Sequence, residues 1–117
     1  MKKEIYYGMR KMYATHGLGN SIWIEQDGKY SIWGLLCLTY QKMTKRGEFR
    51  KSKIGLYFHC FQDGHESHGS IPYPVQVWSG LIYDDLNSCR QINEIEELYK
   101  TGEHDKMWKY IKSLIDT

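Results

Sequence analysis

Proline is nearly absent from this 117-residue chain: there are two, both inside Ile71-Pro72-Tyr73-Pro74. No Ser/Gly/Pro-rich stretch stands in for them, so nothing marks a linker. The length fits one domain, residues 1–117. Cysteine is scarce and odd in number. Cys37, Cys60 and Cys89 are widely spaced, whereas a secreted disulfide framework calls for an even set. They read as reduced thiols of a cytoplasmic protein, small and apolar. Long apolar runs are also missing. The best, Ile32 to Leu38, is far shorter than the ~18 residues of a membrane span. Met1-Lys2-Lys3-Glu4-Ile5 has charge but no apolar stretch behind it, unlike a signal peptide.

Catalytic signatures are lacking as well. Gly17-Leu18-Gly19-Asn20 is glycine-rich but precedes a strand-like run, whereas a phosphate cradle needs a helix to follow. His59, Cys60, His65 and His68 lie within ten residues, with Asp63 and Glu66 among them. Zinc takes such ligands, yet there is no Cys-x-x-Cys. His65-Glu66-Ser67-His68 is one residue short of His-Glu-x-x-His. Strand alternation also sends His59 and Cys60 to opposite faces. A metal or ligand site at His59, His65 and His68, in a small enzyme, is therefore the weaker alternative. Cys89, near a helix start, is the one thiol a helix dipole would favour. No catalytic residue and no cofactor is assigned.

What the chain has in plenty is aromatic residues: ten Tyr, four Trp and three Phe. Rings of this kind favour sheets, and Tyr and Trp also suit interfaces. Charge is the second distinctive feature. Residues 1–53 carry eleven Lys/Arg against four Asp/Glu, a balance of +7. Residues 54–117 carry five against ten, a balance of −5. Such asymmetry steers oppositely charged partners.

Local patterns predict an α+β fold: an antiparallel sheet of three to five strands on two consecutive hairpins, with two C-terminal helices and one further helix at the N-terminus. Over Lys3 to Thr15, Ile5, Met9, Met12 and Tyr13 have helical spacing, whereas Tyr6-Tyr7 and Gly8 favour a strand; the helix is the reading taken. Asp27-Gly28 between Ser21–Gln26 and Lys29–Trp33 predicts a two-residue hairpin. Its register would pair Glu25 with Tyr30, Trp23 with Ile32 and Ile22 with Trp33. The second strand is expected to run on to Tyr40, turn near Arg46-Gly47 and return as Lys53 to Phe61. A helix over Ile32 to Met43 competes, but the Trp, Ile, Thr and Tyr content favours a strand. Gln62 to Ser70 reads as a loop. The prolines suit a strand edge before Val75 to Trp78 and Leu81 to Tyr83. Asn93-Glu94-Ile95-Glu96 fits a capping box, with Ile92, Ile95, Leu98 and Tyr99 inward. Gly102 would end that helix, and Met107, Trp108, Ile111, Leu114 and Ile115 stripe another.

The second hairpin's end gathers Lys42, Lys45, Arg46, Arg50, Lys51 and Lys53, with Tyr40 and Phe49 interleaved and only Glu48 opposing. These eight residues form the candidate partner-binding set. Cations among aromatics suit phosphates and bases, and equally an acidic protein groove. Lysine-rich tips also serve solubility and block edge pairing. The expectation is a small macromolecule-binding protein that blocks its partner sterically or electrostatically. Its style is that of phage or mobile-element inhibitors. The partner would be a protein or protein–nucleic acid complex, or nucleic acid directly, but no membrane. Both faces of the first hairpin are apolar, and a homodimer is one way to cover them.

Overall fold

The structure, a computed structural model, describes residues 1–20, 24–26, 28–53, 55–60, 65–67 and 71–116, with the backbone alone at 65–67. It is α+β, and the described residues form five helices and five short strands in one antiparallel sheet. The expected N-terminal helix is present. α1 (Lys3–His16) buries Ile5, Tyr6 and Met9 and stops at Gly17, whose φ of 72° is left-handed. The first hairpin is present too. β1 (Glu25–Gln26) pairs with β2 (Lys29–Tyr30), with Glu25 opposite Tyr30 as expected.

The strand then ends, and here the expectation fails. Ile32 and Trp33, expected opposite Trp23 and Ile22, instead open α2 (Ile32–Thr44). Ile22, Trp23 and Asp27 lie outside the described residues. Ser31 caps α2 by accepting from the Gly34 N–H at 3.0 Å. Every residue from Ile32 to Tyr40 is buried. A run that is apolar all round carries no helical stripe, so periodicity cannot distinguish it from a buried strand. The fold decides, because α2 runs through the middle of the molecule and packs on α1, β2 and α3 (Tyr73–Ser79). A helix satisfies its own backbone N–H and C=O groups. It can therefore be surrounded by side chains, whereas a strand there would need partner strands on both edges.

The second hairpin is consequently shorter and lies later in the chain. β3 (Glu48–Lys51) pairs with β4 (Leu56–Cys60), Phe49 opposite Phe58. Its turn falls after Lys51, not at Arg46-Gly47. The expected loop at Gln62 to Ser70 contains β5 (His65–Ser67), paired with β4; the rest of it lies outside the described residues. The strand order is β2-β1-β4-β3, with β5 also on β4.

The expected strand at Val75 to Trp78 is helical as well. Pro72 is the N-cap of α3 and Pro74 sits in its first turn. A fixed φ suits a helix start, where the missing N–H costs nothing. Leu81 to Tyr83 lies between helices rather than in a strand. α4 (Leu86–Lys100) begins a full two turns before the supposed capping box, on Asp85, which accepts from the Ser88 N–H at 2.9 Å. Ser88, Ile92, Ile95 and Tyr99 make its buried face, with Leu98 half-buried beside them. α5 (His104–Ser113) buries Met107, Trp108 and Ile111, and Leu114 and Ile115 pack against the same core. Among the described residues no helix is long and apolar enough to cross a membrane.

Candidate functional site

The eight candidate residues do not form one strand tip. Lys42, Lys45 and Arg46 are exposed where α2 ends. Lys45 is its C-cap, with φ of 60°, and its N–H donates to the Gln41 carbonyl. Cations at this end also favour the helix dipole. Lys51 and Lys53 are exposed around the β3–β4 turn, which Ser52 closes through the Gly55 carbonyl. Arg50 donates to the Glu48 carboxylate on its own strand, and this bond holds the guanidinium above its ordinary pKa. Phe49 is half-buried, edge-on to Phe58 at 4.9 Å and to Tyr30 at 5.6 Å.

Tyr40 is no surface aromatic. It is 5% exposed, its ring edge-on to Phe58 at 6.1 Å and to Trp78 at 5.2 Å. It forms the floor of a groove between the end of α2 and α3. The groove holds about 340 Å³ and is lined by Tyr40, Thr44, Arg46, Tyr73, Pro74, Val77 and Trp78. Among the described residues that line it, Arg46 is the charged one. Tyr73 and Val77 are 50% and 53% exposed at its edge, and Met43, beside Thr44, is 47% exposed.

Neither a family model, nor a curated protein, nor a solved structure matches this chain.

The groove's apolar half lay outside the sequence expectation. Tyr73 and Val77 are four apart, and so share a face once α3 is a helix. Val75 and Ser79, also four apart, are its buried residues. An apolar residue pair on the face away from the core was the available signal, hidden by reading the prolines as a strand edge.

Of the histidine group the structure describes His59 and the backbone at His65. β4 and β5 pair Cys60 with His65 and His59 with Glu66. His59 and His65 are thus at different register positions of one ladder. Asp63 and His68 lie outside the described residues. Cys89 sits in the first turn of α4, half-buried, and accepts from Asn93 Nδ2 at 3.8 Å. Glu96 on the same helix accepts from Trp33 Nε1 at 2.9 Å and from the Tyr83 hydroxyl at 3.3 Å. Burial, then the Glu96 charge, pushes the Tyr83 hydroxyl well up from its ordinary value. That carboxylate is committed to tying α4 to α2, a structural task.

Proposed function

We propose that this chain is a binding protein that acts by occupancy, holding a partner protein at the α2–α3 groove without turning anything over. One observation carries the proposal: an apolar, partly exposed slot lies between α2 and α3, edged by Tyr73 and Val77 with Arg46 on its lining. An aliphatic or aromatic anchor side chain fills such a slot. Lys42 and Lys45 extend the positive field beyond the rim. The +7 balance of residues 1–53 would speed the approach of an acidic partner. Aliphatic Val77 and Pro74 in the slot favour a protein side chain over a nucleic-acid base, which seeks flat aromatic platforms and a continuous basic track.

The test is a peptide-array screen with the wild-type chain and with Val77→Asp, and Lys109→Glu on α5 as a distant control. Peptides with a large apolar residue beside Asp or Glu should be retained by wild type and control and lost, by at least about tenfold, in Val77→Asp. Equal binding by Val77→Asp, or preferential retention of single-stranded oligonucleotides, would refute the proposal.

A further inference from the structure

We infer that the outer face of α1 binds the phosphate backbone of double-stranded DNA without reading its sequence. Lys3, Tyr7, Arg10, Lys11 and Ala14 are all exposed. Their spacings of three and four place them on one stripe, opposite the buried Ile5 and Met9. The stripe holds three cations against the single acid of α1, Glu4, which sits in the first turn where the helix dipole accounts for it. Lys3 in the same turn opposes that dipole, so α1 gains nothing from its charge. On α5, Lys106 meets Glu103 at 3.0 Å. Lys3 and Lys11 have no such ion pair among the described residues.

Stacking holds Arg10 in place. Its guanidinium lies over the Trp108 ring at 5.0 Å and over the Tyr13 ring at 5.5 Å. A stacked guanidinium keeps its charge and presents N–H donors at its edge, so a phosphate meets a positioned cation and less side-chain entropy is lost. Tyr7 is 56% exposed, its ring edge-on to Tyr6 at 5.2 Å, and adds a hydroxyl donor between Lys3 and Lys11. Those two lysines are about 12 Å apart along the helix axis, about the width of a B-form major groove. They therefore reach phosphates on its two walls. A lipid surface fits less well, because the apolar Ile5, Tyr6 and Met9 of α1 are buried and leave no apolar face to enter a bilayer. An acidic protein would need its carboxylates in a matching row, whereas phosphates recur at fixed intervals along every duplex. The face takes no residue from the α2–α3 groove and does not depend on the role proposed there.

Fluorescence anisotropy of a short labelled DNA duplex with the full chain tests this. Three phosphate contacts give a log–log salt slope of about −3, a roughly fortyfold loss of affinity between about 50 and 200 mM salt. Lys3→Gln and Lys11→Gln, each folded by circular dichroism, should each flatten that slope by about one, equally on duplexes of unrelated sequence. Arg10→Gln should do so too, whereas Arg10→Lys should keep the slope and lose part of the affinity. Lys42→Gln, at the end of α2, should leave the slope unchanged. No binding at about 50 mM salt, a slope indifferent to the α1 variants, or an equal change in Lys42→Gln would overturn the inference. So would sedimentation of the wild type with phosphatidylserine–phosphatidylcholine vesicles when the duplex does not bind. Peptide retention without duplex binding refutes this inference alone. Duplex binding without peptide retention refutes the groove reading alone.

Discussion

Gly34 sits where one methyl group would not fit. A Cβ there would lie 1.9 Å from the Ile24 carbonyl oxygen and 3.2 Å from the Tyr30 ring. The obstacle is backbone, which cannot rotate aside as a side chain could. The close approach exists because α2 starts directly beneath β1, with the Ser31 N–H donating to that same Ile24 carbonyl at 3.1 Å. Gly34→Ala should destabilise the chain by about 3 kcal/mol or more, as overpacked buried sites do. The urea midpoint measures it. Gly8 is a milder case, since its added Cβ would meet the Thr39 methyl at 2.7 Å, a side chain at the α1–α2 crossing. Gly8→Ala should therefore cost less than Gly34→Ala.

At the scale of elements, helix ends separate what was legible from what was not. Both Ser31 and Asp85 cap helices with a side-chain oxygen, and both are residue types that favour this position. The strand-like pattern on either side of Ser31 hides its capping role in the sequence. The capping-box spelling at Asn93 competes with Asp85 for the helix start. Ser31→Ala and Asp85→Ala should each cost about 1 kcal/mol, the ordinary worth of an N-cap. The Ser31 effect should be the larger, because Ser31 is 2% exposed and water cannot replace its oxygen at the Gly34 N–H. Asp85 is exposed, so water can reach its helix end. Paired denaturation curves decide the order. The same contrast explains why α1, α4 and α5 were legible as helices. Each has one buried and one exposed face, so the apolar residues recur at helical spacing. α2 has no exposed face over its first nine residues.

At the scale of the whole molecule, buried hydroxyls and a thiol set the response to alkali. Burial holds Tyr99 up to about 12 and moves Tyr30, Tyr83 and Tyr110 in the same direction. Burial, and then the Cys60 thiol nearby, raises Cys37 well above its ordinary 9.0. Each of these groups keeps its proton longer folded than unfolded, so above the unfolded values the folded state binds more protons. Stability then falls as pH rises. The urea midpoint should stay level from neutrality to about pH 8, begin to fall near 9 as the unfolded Cys37 thiol ionises, and fall more steeply above about 10, where unfolded tyrosines follow. Tyr99→Phe should start lower, having lost the bond from its hydroxyl to the Gly19 carbonyl, and decline less steeply. On the acid side Lys106 lowers the Glu103 pKa, but that pair is exposed and contributes little.

The sequence alone determined the α+β class, the amphipathic helices at both ends, the Glu25–Tyr30 register and the uneven charge. All of these are local: a stripe, a turn or a count is complete within a few neighbouring residues. Only the tertiary structure decided that Ile32 to Thr44 is a helix, that the prolines begin α3, and that Tyr40 lies under Trp78 instead of on a surface. A uniformly apolar segment has no preferred face, so its conformation depends on what surrounds it. The groove follows from the same cause, since it exists only where two helices meet that no local pattern had distinguished from strands.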